Sequence, residues 1–213
     1  MYFNEINSVG ISEIKWDIFV FNRNNAHYDT LLYFCRLVCE EAVANQNIGK
    51  KDFRTLEDNL LPSLFEKFII AFYKKELTSF SFSISFQQQI KWSAENTDML
   101  PKMSADTVIA SNEVILIIDT KFYSKSLQSN RFSDNQTVIS GNLYQIFAYV
   151  KNEANWAHDK EVRGMLLYPQ VDAPLKKAYN INGNNFYVQT IDLNQEFRFI
   201  RQDLLDIWSY AIN

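Results

Sequence analysis

Apolar residues recur at three- and four-residue steps between about His27 and Ala44. Leu31, Leu32, Phe34, Cys35, Val38, Cys39, Ala42 and Val43 fall on one side and Arg36, Glu40 and Glu41 on the other, a spacing that predicts a helix. Ahead of it, Trp16, Ile18 and Val20 form a short β-like alternation. The stretch from Asn45 to Asp58 is polar and reads as a connection. A second helix is expected to open near Pro62, since proline suits a first turn, and to run through SLFEKFIIAFYKKEL with Leu64, Phe65, Phe68, Ile69 and Phe72 on its apolar side.

The period then drops to two. Phe80, Phe82, Ile84 and Phe86 alternate with serines, predicting a half-buried strand that continues through QQQIKW. Ser93 to Lys102 is polar and reads as a loop. Ala105–Ala110 and Val114–Phe122 are two further strands, and Ser111-Asn112-Glu113 between them suits a tight hairpin. Residues 124–135 show no helical face and are expected to be a mobile loop. A third helix is predicted from about Thr137 to Asn152, a strand from Val162 to Tyr168, another from Phe186 to Ile191, and a last helix from about Arg201 to Ala211. This order is that of an α/β fold with a mixed central sheet flanked by helices. It divides into a lead-in over residues 1–60, with one amphipathic helix, and a core with a C-terminal helix over residues 61–213.

Composition narrows the possibilities. The 213 residues are 47% hydrophobic and 22% charged, the balance of a folded chain. Acidic residues outnumber basic ones, 25 to 21, for a formal charge of −4, so any contact with nucleic acid must rest on a local site, a metal or a partner. The two cysteines, Cys35 and Cys39, stand one helical turn apart in an apolar stretch and read as buried, reduced thiols. His27 and His158 are too far apart to suggest a histidine metal centre. The first residues, MYFNEINSVG, lack the features of a signal peptide, and no stretch approaches the length needed to span a membrane, so a cytoplasmic protein without membrane contact is expected. There is no phosphate loop of the G-x-x-x-x-G-K-[ST] kind, so the chain is expected to bind no nucleotide itself.

The polar residues inside apolar strands carry the chemistry. In EVILIIDTKF, Asp119 and Lys121 interrupt a run that is otherwise apolar, and being two apart they project to the same face. Burying such charges is costly unless they are paired or used. If the hairpin turns at residues 111–113, Asp106 lies roughly opposite residues 117–119, which makes Asp106 and Asp119 neighbours. Two carboxylates forced together repel unless a cation lies between them, and Mg²⁺ prefers oxygen ligands. The carbonyl of Thr120 could add another oxygen, and Lys121 could hold or deprotonate a water or stabilise charge on a phosphate. Glu66, an acid within the apolar rhythm of the second helix, and Gln145, with Tyr149 one turn later in the third, could complete the set. Such a group suits metal-assisted hydrolysis of a phosphodiester.

At these residues, in Phe65-Glu66-Lys67-Phe68, Ser104-Ala105-Asp106, Ile118-Asp119-Thr120-Lys121 and Tyr144-Gln145-Ile146-Phe147-Ala148-Tyr149, the sequence resembles the PD-(D/E)XK nuclease superfamily. Within it the chain is similar to McrC, the nuclease subunit of modification-dependent McrBC restriction systems. HYDTLLYFCRLV before the core and RGMLLYP after it are further matches, so the likeness covers roughly residues 15–170. The resemblance implies a restriction-endonuclease-like core and Mg²⁺-dependent cleavage of DNA, with Mn²⁺ able to substitute. The implied partner is an McrB-like AAA+ GTPase motor that recognises modified DNA. On this basis Asp106, Asp119, Glu66 and the Thr120 carbonyl are expected to hold metal, Lys121 to be the catalytic lysine and Gln145 a positioning residue.

The chain departs from that pattern in three ways. Ala105 stands where proline is usual, and Ser140-Gly141-Asn142 replaces a more polar approach to the Tyr-Gln pair. The chain also starts close to the nuclease part, as a truncated or compact variant would, so motor stimulation is not implied for it. Two alternatives remain open: a nuclease of the same superfamily serving repair or recombination, and a non-cleaving assembly subunit.

Overall fold

The computed structural model describes residues 10, 13–20, 32, 35–36, 51–77, 82–123, 127–130, 133–157, 159–171 and 173–212. The chain divides into two compact units, Met1–Leu60 and Leu61–Asn213. In the first, Trp16–Ile18 is a turn of 3-10 helix where the alternation predicts a strand. A strand needs a neighbour to satisfy its backbone, and Ile18 and Val20 are 67% and 79% exposed. Leu32, Cys35 and Arg36 are helical, as the periodicity predicts, but Cys35 is exposed rather than buried. The apolar run there is wider than a single helix face, so some members must face outward. The other residues of the expected helix, Cys39 among them, lie outside the described residues, as do His27 and His158.

The longest helix, α1, spans Lys51–Glu76 and carries Pro62 inside it. It begins well before the expected start, within the stretch read as a connection. Proline removes one backbone bond and crowds the preceding turn, yet the helix runs on through it.

Eight strands follow: β1 (Ser83–Ile90), β2 (Met103–Ala110), β3 (Val114–Thr120), β4 (Leu127–Asn130), β5 (Ser133–Val138), β6 (Glu161–Pro169), β7 (Lys176–Ile181) and β8 (Asn184–Ile191). Helix α2 (Ser140–Ala154) lies between β5 and β6, and α3 (Phe197–Ile212) closes the chain. Six strands form one sheet in the order β1-β2-β3-β6-β8-β7. The pairs β1–β2, β2–β3 and β7–β8 are antiparallel, while β3–β6 and β6–β8 are parallel. The mixed α/β arrangement is therefore present.

Two elements differ from expectation. The segment expected to be a mobile loop contains β4 and the start of β5, which runs on to Val138, past the expected start of the third helix, and the two strands pair as a separate two-stranded ribbon. Strand β7, which holds Lys176 and Lys177, is absent from the expected elements. It is an edge strand exposed along nearly its whole length, so no alternation of burial marks it in the sequence.

Helices cover both faces of the sheet. On one, Phe65, Ile69, Phe72 and Tyr73 of α1 and Ile200, Leu204 and Ile207 of α3 pack on Ile109, Leu116, Ile118, Met165, Leu167, Tyr187 and Ile191. On the other, Ile146, Tyr149 and Val150 of α2 pack on Val108, Ile115, Ile117, Val162, Leu166, Phe186 and Val188. Strand β3 is buried at every position, as expected of a central strand with helices above and below. Gly164 lets α2 approach: a Cβ there would meet Val150 Cγ2 at 2.8 Å and Ile146 Cγ1 at 2.9 Å. Among the described residues no helix is long and apolar enough to cross a membrane.

Candidate functional site

The β2–β3 hairpin turns where the sequence predicts. Ser111 caps it, its hydroxyl accepting from the N–H groups of Glu113 (3.2 Å) and Val114 (2.9 Å). The ladder pairs Ala110 with Ile115 and continues to Thr107 with Ile118. One step further sets Asp106 across from Asp119, within the expected range of residues 117–119. Directly opposed residues share a face of the sheet, so the hairpin brings these two carboxylates together.

Their surroundings differ. Asp106 is half-buried, and its Oδ2 accepts both the Thr120 N–H and the Thr120 hydroxyl at 2.8 Å each. Asp119 is 1% exposed. The Lys121 ammonium lies 2.8 Å from Asp119 Oδ2, an ion pair on a carboxylate that is otherwise closed off from solvent. Burial pushes the Asp119 carboxyl up to about 6; Lys121 opposes the rise, and the charges of Asp106 and Glu66 add to it. Burial alone would lower the Lys121 ammonium, but Asp119 and Asp106 outweigh it and hold the group above its ordinary value.

Glu66, on α1, lies close enough to feel the same charges. Burial and then Asp106 raise its carboxyl, while Gln87, Lys121 and Lys67 counter them. Its Oε1 accepts from Gln87 Nε2 at 3.5 Å. The structure thus gathers Asp106, Asp119, Thr120 and Lys121 tightly, with Glu66 within electrostatic reach. Among the described residues no three His, Cys, Asp or Glu side chains converge closely enough to cage a metal unaided.

Gln145 is placed differently. Its Nε2 donates to Tyr149 Oη at 2.8 Å, a bond within α2 that bridges one turn. The α2 residue that reaches the sheet beside the acids is Asn142, whose Nδ2 donates to the buried Tyr168 Oη at 3.0 Å. Tyr123 Oη donates to Asn142 Oδ1 at 3.5 Å. Tyr168 follows Leu167, the parallel partner of Thr120, on β6. Burial pushes its hydroxyl up to about 12, with Asp119 contributing. Gln87, Tyr123 and Tyr168 escape a reading of periodicity. The run Gln87-Gln88-Gln89 inside a strand was the one signal pointing to the first of them.

Comparison with known proteins adds to this geometry. A family model described as "McrBC 5-methylcytosine restriction system component" matches residues 1–169. The chain is also 34% identical over 197 residues to the "Type IV methyl-directed restriction enzyme EcoKMcrBC" of Escherichia coli (strain K12). That match covers 87% of this chain and 54% of the relative, so the chain spans about half the length of the curated relative it matches.

Proposed function

Because this chain belongs to the family of McrBC 5-methylcytosine restriction system components, we propose that it is the DNA-cleaving subunit of such a system, hydrolysing phosphodiester bonds with a divalent cation. The observation that carries this reading is the buried Asp119, ion-paired to Lys121 and lying across the hairpin from Asp106. A carboxylate so deeply buried and beside a second one carries a desolvation cost and a like-charge repulsion that one ammonium only partly offsets, and a divalent cation would relieve both. The two strands, the acid pair and the lysine agree with a PD-(D/E)XK core.

The residues present fit Mg²⁺. That ion is commonly held by one or two carboxylates and keeps several waters, so a complete protein cage is not needed. Asp106 and Asp119 would hold it with the Thr120 carbonyl, Glu66 would have to close on it from electrostatic reach to complete the oxygen set, and Mn²⁺ would substitute. A bound Mg²⁺ supplies charge to polarise a phosphate and makes a coordinated water more acidic. Lys121 contributes a fixed positive charge beside Asp119, where it can orient a water or offset charge on a phosphate oxygen. Thr120 fixes Asp106 through its two bonds. Gln145, on α2, would orient substrate from the helix side.

The chain's surface argues for a partner. A formal charge of −4 gives no long-range attraction to phosphate. An McrB-like AAA+ GTPase that binds methylated DNA would deliver the substrate. The test is plasmid cleavage in Mg²⁺ at about 0.15 M salt, with methylated and unmethylated DNA, with and without the motor subunit and GTP. Cutting of methylated plasmid that requires both motor and GTP, and is absent for Asp119→Ala, is the expected outcome. Efficient cleavage by the isolated chain would favour a stand-alone repair nuclease, and no cleavage under any condition a non-cleaving assembly subunit.

A further inference from the structure

Three described non-glycine residues have positive φ. Met99 lies in a loop turn and Asn182 at the β7–β8 turn, where such angles are ordinary, but Gln87, with φ 45°, lies inside strand β1. The left-handed region is unfavourable for a residue with a Cβ, and in a strand it persists only when its surroundings enforce it.

The location is specific. Phe86 pairs with Thr107 and Gln88 with Ala105, so the position between would set Gln87 against Asp106; that single pairing is missing from the ladder. The register is the same on both sides, so no residue has been inserted. The packing shows what the break does. Ile84 and Ile109 pack into the core under α1 and α3, whereas Ile90, Met103 and Ala105 pack into the core under α2. In a regular strand residues 84 and 90 share a face, as do 105 and 109. The β1–β2 pair therefore turns over, and it does so where Gln87 faces Asp106.

We propose that Gln87 is a positioning residue of the acidic site: its left-handed backbone turns the sheet over beside Asp106, and its side-chain amide holds Glu66 toward the carboxylate pair. This rests on the metal-site reading given above. At this break the Asp106 carboxylate reaches across to Thr120 on the other neighbouring strand. The same residue sends its Nε2 to Glu66 Oε1 on α1, so one side chain links the strand that carries the kink to the helix that carries the third acid.

Substitutions that keep the left-handed backbone isolate the part played by the Gln87 side chain. Mn²⁺ binding is measured by calorimetry on the full chain for wild type, Gln87→Gly, Gln87→Asn, Glu66→Gln and the Glu66→Gln/Gln87→Gly pair. Glycine and asparagine both accept the left-handed angle but cannot reach Glu66. Each should weaken Mn²⁺ binding about 10-fold, the lower end for a lost supporting contact to a metal ligand, while the metal-free thermal midpoint holds or rises. In the Glu66→Gln background the glycine substitution should add nothing, since its effect passes through Glu66. Unchanged Mn²⁺ affinity in Gln87→Gly, or an equal loss with and without Glu66, overturns the inference and leaves the metal site standing. Absence of Mn²⁺ binding by wild type, or equal binding by Asp119→Ala, overturns the metal-site reading and this inference with it.

Discussion

Thr120 places two donors on one oxygen of Asp106: its backbone N–H and its hydroxyl both reach Oδ2 at 2.8 Å. Thr120→Val keeps the N–H bond and removes the other. It should lower stability by about 1 kcal/mol, the usual net worth of one hydrogen bond, and weaken Mn²⁺ binding, because the carboxylate gains freedom to rotate. Calorimetry and chemical denaturation of the same sample read the two effects.

Asp119→Ala and Asp106→Asn should each abolish cleavage in the presence of the motor while leaving the circular dichroism spectrum unchanged. The acid at each position is proposed to touch the metal, and neither an amide nor a methyl replaces a charged oxygen ligand. Wild-type cutting by either variant would remove these residues from the site.

The metal-free protein should gain stability as pH falls. The folded-state value of Asp119 is raised to about 6 from 3.8, so the fold prefers the protonated acid. This contribution is fully present below the unfolded value, shrinks as pH rises from about 4, and is lost above about 6. A rise of about two units corresponds to on the order of 3 kcal/mol. In chelator, thermal midpoints should climb between pH 7 and pH 5, and Asp119→Asn should flatten that part of the profile. A wild-type profile as flat as the variant's would refute the burial cost assigned to Asp119.

Lys121→Ala should keep Mn²⁺ binding and lose about 10²–10⁴-fold in cleavage rate, the range of a lost electrostatic or acid–base contribution. Removing the ammonium also deprives Asp119 of its ion pair, so the metal-free variant should be less stable at pH 8 than wild type. Loss of Mn²⁺ binding together with activity would make the lysine structural.

Gly164→Ala tests the seat of α2. The new Cβ would fall 2.8 Å from Val150 Cγ2, 2.9 Å from Ile146 Cγ1 and 3.0 Å from Phe186 Cδ1, all in a filled core. The helix must lift or its side chains must leave their rotamers, at about 1–3 kcal/mol. Denaturant unfolding reads the loss, and an unchanged midpoint would show that the core yields freely.

The juxtaposition of Asp106 and Asp119 is legible in the sequence because charge inside a run of isoleucine and valine stands out, and because a three-residue turn fixes which residues meet across a hairpin. The central strands are legible for the same reason: burial on both faces leaves a continuous apolar run. The edge strand β7 is not, since it has no buried face to impose alternation, nor is the ribbon β4–β5, whose sequence LQSN and SDNQTV is almost wholly polar. The early start of α1 is hidden by the polar residues before Pro62. Gln87 is hidden more deeply, because a left-handed angle at a glutamine is imposed by tertiary contacts and leaves no compositional trace. Sequence spacing puts Gln145 on α2, where its amide bonds Tyr149, whereas Asn142 on the same helix, which bonds the buried Tyr168, left no signal in the spacing.

Strand β8 lies along β6 on the side away from β3. Its Phe186 and Val188 enter one core, and its Tyr187 and Ile191 the other. Every residue of β6 after Glu161 is buried. A chain ending at Pro169 would contain all the residues proposed for chemistry, yet β6 would become a bare edge, apolar on both faces and open to pairing with foreign strands. Trimming the protein to its chemically equipped portion would therefore yield an aggregate instead of a smaller nuclease.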